Sequence, residues 1–275
     1  MTVISPATRA QPWRELPDAN ARAVVGVLTD IDDTLTTAGA ITPDALGALA
    51  ALKAAGLPVI AITGRPMGWS EPFARPLNQG GWPIDAIVAE NGAVALFQDR
   101  GALAVEYAQD ATARARNAQR LREVAARVLR EVPGATLAQD SAGRVTDIAI
   151  DHSEFAQLSP AQIDAVVAVM RAQGMNATVS SIHINGWFGA HTKLSGARWI
   201  VQRLLARDIE AERERWVYVG DSTNDQLMFG HFPLSVGVAN LMEFAHVLTT
   251  WPRYLTDGAR GAGFKEVADR LLTAR

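Results

Sequence analysis

The chain has 275 residues, 48% of them apolar, a formal net charge of −3 and no cysteine. That length holds one large domain, or a core with a modest second domain, and a pI near 6.0 gives no general attraction to nucleic acid or to an anionic membrane. The missing cysteines exclude disulfides and thiolate chemistry, so any metal must be held by oxygen or nitrogen; no apolar run reaches the roughly 18–20 residues of a membrane span.

The first twenty residues mix prolines and charges and contain no signal-peptide apolar core, so a cytoplasmic location is expected. The run from Ala23 to Asp30 is continuously apolar and rich in β-branched residues, as in a strand buried on both faces of a parallel sheet. Thr42-Pro43 opens a helical segment that ends near Ala55, with Gly56 as its stop. Further buried strands follow at Leu57–Thr63 and Ile84–Glu90. Later come a helix from Lys193 to about Ala206, a strand at Arg215–Asp221, a helix, and a strand at Pro233–Val238. This alternation predicts an α/β core, a Rossmann-like parallel sheet with helices on both sides.

Between about 94 and 190 the pattern changes. Short strands are expected near 102–107, 145–151 and 177–188, with helices near 111–132 and 159–173, an α+β domain inserted into the core. The expected division is a core of 1–94 and 190–275 around an insert of 95–189. Arginines at 114, 116, 120, 122, 127 and 130 alternate at helical spacing with Leu121, Val124, Ala125, Val128 and Leu129, which reads as a solvated amphipathic helix rather than a phosphate-tracking patch.

In an open parallel sheet, ligands bind beyond the carboxyl ends of the strands. Those ends read Thr29-Asp30-Ile31-Asp32-Asp33-Thr34, Thr63-Gly64-Arg65, Glu90-Asn91-Gly92-Ala93, and Gly220-Asp221-Ser222-Thr223-Asn224-Asp225. Asp30 and Asp32 lie two apart in an extended segment and point the same way. Two such charges at about 4 Å repel by roughly 1–4 kcal/mol and need a cation or a shared proton. Asp221 and Asp225, four apart at a helix start, can converge on one point. Oxygen ligands that leave room for waters and phosphate suit Mg²⁺. Asp33 reads equally well as a turn residue.

These segments resemble the four motifs of the haloacid dehalogenase superfamily: Asp30-Ile31-Asp32-Asp33-Thr34 the first, Thr63-Gly64-Arg65 the second, Lys193 the third, and Gly220 to Asp225 the fourth. Thr192 stands where many relatives carry Asp or Ser. Glu90-Asn91-Gly92-Ala93 and the large insert resemble the subgroup with a type IIB cap, which includes Cof-like sugar phosphatases, sucrose-phosphate phosphatase and mannosyl-phosphoglycerate phosphatase. The resemblance implies that Asp30 is the nucleophile and Asp32 the general acid and base. It implies a Mg²⁺ held by Asp30, the Asp32 carbonyl and Asp221, with Asp225 as a ligand or through water. Thr63, Gly64 and Lys193 would neutralise the phosphoryl oxygens. Lys193 is one of only three lysines among 26 basic residues, which favours a phosphate role over solvent decoration.

The expected activity is hydrolysis of a small phosphate ester, a phosphorylated sugar or glycosyl-glycerate, by a monomer or homodimer. The alternatives are a phosphosugar mutase with the same nucleophile and a non-catalytic binding module. Candidate substrate-binding residues are Arg65, Asn91, His183, Asn185, Trp187, His191 and Asn224. Arg65 either clamps an anion or pairs with Glu90. His183, Asn185 and Trp187 share one face of a strand; Trp187 either stacks on a sugar or packs in a core, and a lone His183 reads as a structural hydrogen-bonder.

Overall fold

The structure, a computed structural model, describes residues 10–275, so positions 1–9 of the amino-terminal stretch lie outside the described residues. Its main element is a nine-stranded sheet. In spatial order the strands are Gln11–Pro12, Tyr254–Leu255, Leu234–Gly237, Trp216–Gly220, Gly26–Thr29, Val59–Ile62, Ala86–Ala89, Val94–Asp99 and Ala102–Tyr107. The first seven run parallel and the last two form an antiparallel hairpin on the edge. The continuous apolar runs have a direct structural reason. Val27, Val59, Ala61, Ile87, Val217 and Val219 face one core layer, whereas Leu28, Ile60, Ile62, Val88 and Tyr218 face another, so a polar residue on either face would be buried. The helices Pro43–Ala54 and Arg260–Thr273 cover the first layer and Lys193–Leu205 covers the second. Thr42 caps Pro43–Ala54 by accepting the Ala45 N–H, with Pro43 in the first turn.

The inserted unit has its own core. A four-stranded antiparallel sheet orders Asn176–Val179, His183–Trp187, Asp147–Asp151 and Thr136–Leu137. Helices Ala111–Glu131 and Pro160–Ala172 pack on it through Leu121, Val124, Val128, Val166 and Met170 against Ile148, Ile150 and Ile184. The arginines of the long helix lie off this core: Arg120 sits over the Phe188 ring, Arg114 over Tyr107, and Arg127 pairs with Glu131.

Two expectations change. The hairpin at 94–107 extends the large sheet, so the boundary expected at residue 95 falls inside that sheet and the separate unit starts after Tyr107. The stretch 177–188 is two strands, not one. The Ser180 hydroxyl accepts the Ile182 and His183 N–H groups, and this local bonding replaces a ladder and turns the chain. Among the described residues no helix is long and apolar enough to cross a membrane.

Candidate active site

The four motif-bearing strand ends lie on one edge of the large sheet, beneath the inserted unit. Asp30 is buried; its Oδ1 accepts the Ile31 N–H at 2.8 Å and its Oδ2 lies 3.0 Å from Lys193 Nζ. Burial raises its pKa to about 7, with Asp225 and Asp32 adding to the rise and Lys193 opposing it. Lys193 opens its helix and is buried, which disfavours its charge, yet Asp225 and Asp30 outweigh this and raise its pKa. Its Nζ donates to Asp225 Oδ1 at 2.8 Å.

The placement of Lys193 depends on a glycine. Glu90, Asn91 and Gly92 have φ of 49°, 55° and 106°, a left-handed run that costs least at Gly92. A Cβ on Gly92 would lie 2.0 Å from the Thr192 carbonyl oxygen, so the third strand end packs directly on the turn that presents Lys193.

Asp221 is fully buried, and its pKa is raised well above the carboxylate range by burial and then by Asp225, Asp30 and Asp33. Thr34 Oγ1 donates to its Oδ1 at 3.4 Å and Asn240 Nδ2 lies 3.4 Å from its Oδ2. Carboxylate oxygens of Asp30, Asp221 and Asp225 lie within 4.8 Å of one another. Asp225 nevertheless differs from the other two. Its Oδ2 accepts the N–H groups of Asp221 and Ser222, and its Oδ1 accepts from Lys193 and the Tyr218 hydroxyl. With both oxygens engaged, Asp225 is built to hold the fourth loop and Lys193 in place. Asp33 sits in a tight turn, with φ of 51° and its N–H donated to Thr36 Oγ1 at 3.1 Å, and its side chain makes a long-range contact, Oδ1 accepting from Arg260 Nε at 2.8 Å.

The charges leave room for a divalent ion. Asp30, Asp32, Asp221 and Asp225 face Lys193 and Arg65 as fixed cations, and the Asp32 main-chain carbonyl receives no hydrogen bond from the described residues. An excess of buried carboxylate with hard oxygen donors fits Mg²⁺.

Arg65 does not pair with the Glu90 carboxylate. Its Nε lies 3.0 Å from both Asp32 oxygens, and its terminal nitrogens reach Glu154 and Asp140 of the inserted unit. Glu90 is a clasp instead, accepting the N–H groups of Met67, Val145 and Thr146 and the Thr146 hydroxyl. Thr63 Oγ1 accepts the Arg65 N–H, and the Gly64 carbonyl accepts from Arg144 and Asn185.

His183, Asn185 and Trp187 do share the strand face turned toward the large sheet, while Ile184 packs in the insert's core. His183 Nε2 lies 2.9 Å from Glu154 Oε2. Trp187 is buried, donates from Nε1 to the His191 carbonyl, and stacks on the His191 ring. With Asn91, Arg171, Lys193 and Asn224 it lines a cavity of about 380 Å³. A second cavity, about 460 Å³, lies by Tyr107, Gln109, His191 and Trp199; neither cavity has a site carboxylate in its wall, and of the two it is the first that reaches Lys193.

Sequence reasoning missed Asp140, Arg144, Asp147 and Glu154. Arg144 is buried and bridges Asp140 and Asp147, and burial raises Asp147 to about 6 against the pull of Arg144. Only the dense polar spacing of residues 140–147 could have hinted at this group.

Residues 27–120, about a third of the chain, match the profile of the haloacid dehalogenase-like hydrolase family. No curated protein matches the sequence. Among solved structures, a Thermoplasma acidophilum protein aligns with a TM-score of 0.67 at 15% identity, over 90% of this chain and 98% of that one. Sucrose-phosphatase from Synechocystis, in complex with sucrose and phosphate, aligns at 0.64 and 16% identity over 91% and 98%. The C-terminal domain of trehalose-6-phosphate phosphatase from C. albicans aligns at 0.66 and 16% identity over 98% and 99%. At such identities the structural likeness shows the fold alone. Residues 27–120 are thus similar to the haloacid dehalogenase-like hydrolases, and the chain as a whole shares the fold of these solved structures.

Proposed function

We propose that this chain is a Mg²⁺-dependent phosphomonoesterase that acts on a phosphorylated sugar or glycosyl-glycerate through an aspartyl-phosphate at Asp30. In this reading residues 10–108 and 189–275 form the core and 109–188 the cap. The observation that carries it is the buried Asp30 carboxylate, joined to Lys193 Nζ at 3.0 Å and grouped with Asp221, with Lys193 also lining the adjoining cavity.

Asp30 attacks phosphorus in line, so one difficult displacement becomes two easier ones. Asp32 protonates the departing alkoxide, then accepts a proton from the water that cleaves the aspartyl-phosphate. Asp30, Asp221 and the Asp32 carbonyl hold the ion, and Asp225 orients Lys193 and the loop of Asp221. Mg²⁺, when bound, supplies positive charge toward the phosphoryl oxygens. Lys193, Thr63 and the Gly64 amide supply the protein's share of that charge and its positioning. Asn91, Asn224 and Trp187 border the space for the alcohol, and the sugar phosphatases that share the fold support a polyol there.

The test is phosphate release from a panel of sugar phosphates, phosphorylated glycosyl acids and an aryl phosphate, with Mg²⁺ or excess chelator. Expected are steady phosphate release with Mg²⁺, loss in chelator, and loss in Asp30→Asn. Undiminished turnover in Asp30→Asn would overturn the nucleophile. Phosphoryl return to a sugar hydroxyl, dependent on a trace bisphosphate, would indicate the mutase. Binding without turnover in the parent protein would indicate a non-catalytic module.

A further inference from the structure

The second strand end carries three consecutive carbonyls, held in two different ways. The Thr63 carbonyl accepts the Asn91 N–H at 2.9 Å and the Arg65 carbonyl accepts the Glu90 N–H at 3.0 Å, so the neighbouring strand end fixes both. The Gly64 carbonyl between them is held, among the described residues, by side chains of the inserted unit alone. Arg144 Nη1 donates to it at 3.0 Å and Asn185 Nδ2 at 3.3 Å. Asp147 fixes both donors: its two oxygens each lie 2.9 Å from Arg144 Nη1, and Oδ2 accepts from Asn185 Nδ2 at 3.1 Å. The Arg144 side chain, Asn185 and Asp147 are all buried. The approach is close, since a Cβ at position 64 would lie 3.1 Å from Asn185 Oδ1.

The peptide that owns this carbonyl also touches Thr63. Its other end is the Arg65 N–H, which donates to Thr63 Oγ1 at 3.0 Å. A threonine hydroxyl has two lone pairs and one hydrogen. The Arg65 N–H occupies a lone pair, and the hydrogen is donated to no protein group among the described residues. Thr63 follows the strand Val59–Ile62, which pairs with the Gly26–Thr29 strand that leads to Asp30. Glycine is the residue least able to hold its own dihedrals, so the orientation of the Gly64–Arg65 peptide depends on what grips its oxygen.

We propose that Arg144 and Asn185 are positioning residues that act through the Gly64–Arg65 peptide to aim the Thr63 hydroxyl at the phosphoryl group. The inference rests on the phosphoryl role given to Thr63 above. It moves Asn185 from the substrate to the loop, because both hydrogens of its Nδ2 are spent on Gly64 and Asp147. Arg144 and Asn185 touch no reacting atom. Their contribution is a hydrogen bond held ready for the charge that develops on the phosphoryl oxygens, so it acts on the transition state more than on the bound ground state.

The experiment measures Mg²⁺-dependent turnover of p-nitrophenyl phosphate by the full-length protein, with inhibition by orthovanadate and by inorganic phosphate. The parent is compared with Asn185→Leu, which keeps the volume and removes the amide, and with Arg144→Lys, which keeps a cation for Asp147 and removes the fork. Each is also combined with Thr63→Val. Expected is a fall in kcat of roughly 10-fold in Asn185→Leu and Arg144→Lys, against roughly 10²-fold when Thr63→Val removes the donor itself. Orthovanadate, a mimic of the five-coordinate transition state, should lose affinity in step with kcat while phosphate loses little. In the Thr63→Val background either second substitution should change kcat by less than about twofold, because its route to the reaction is already gone. A variant that has merely lost folded protein keeps both inhibition constants, and that pattern overturns the proposal. So does a pair of losses that multiply in the double variants, with the phosphatase reading left standing. Unchanged turnover in Thr63→Val overturns the role of Thr63 and this proposal together, and a parent without Mg²⁺-dependent turnover overturns the phosphatase reading as well.

Discussion

His191 ties the stability of this protein to pH in a way that can be calculated. The ring is 6% exposed and stacks on Trp187 at 5.6 Å between centroids. Its Nδ1 lies 3.4 Å from Gln109 Nε2, and Nε2 has no protein partner among the described residues. Burial lowers the pKa from 6.5 to about 4 with no carboxylate to offset it. The folded state therefore resists a proton that the unfolded chain takes up between pH 6.5 and about 4. The neutral ring's contribution is complete above pH 6.5 and is lost as pH falls through that window. A shift of that size corresponds to about 3 kcal/mol. The perturbation is His191→Phe, which keeps a ring against Trp187 and removes the proton site. Urea unfolding of parent and variant at pH 8.0, 6.5 and 5.0 isolates the effect, because His152 and His231, also lowered by burial, are present in both. The variant should gain on the parent by roughly 2 kcal/mol between pH 8 and 5. Parallel stability curves across that range would refute the reasoning.

The other predictions concern the site. Lys193→Ala removes the cation bonded to both Asp30 and Asp225; turnover should fall by about 10²-fold or more, measured as phosphate release at saturating substrate. Stability should drop by roughly 3–5 kcal/mol as buried carboxylates lose their partner, read from urea midpoints. Gly92→Ala forces a side chain onto a φ of 106° and into the Thr192 carbonyl, and should cost at least about 2 kcal/mol with a matching fall in urea midpoint. Because burial raises Asp30 to about 7 and Asp221 well above its usual range, Mg²⁺ binding should release protons and tighten as pH rises from 6 to 8. Calorimetry in buffers of different ionisation enthalpy would show this, and a pH-independent affinity would contradict it.

The sequence by itself determined the layered core and the chemical identity of its edge. Strands buried on both faces must be apolar throughout, so the runs ending at Asp30, Thr63, Glu90 and Asp221 stand out in one dimension, and polar residues at their ends share an edge once the strands are parallel. The Thr42-Pro43 helix start is legible for a similar reason, since capping is a contact between near neighbours. What only the tertiary structure decided is how the inserted unit meets the large sheet. The bonds from Arg65 to Asp140 and Glu154 span 75 and 89 positions, and those from Glu90 to Val145 and Thr146 span 55 and 56. No local periodicity records such partners. Asp225 shows the same limit at shorter range: its spacing from Asp221 reads as a metal ligand, while the folded loop turns both its oxygens to Lys193, Tyr218 and two backbone N–H groups. A carboxylate's role depends on which donors fill its lone pairs, and that is set by atoms brought together in three dimensions.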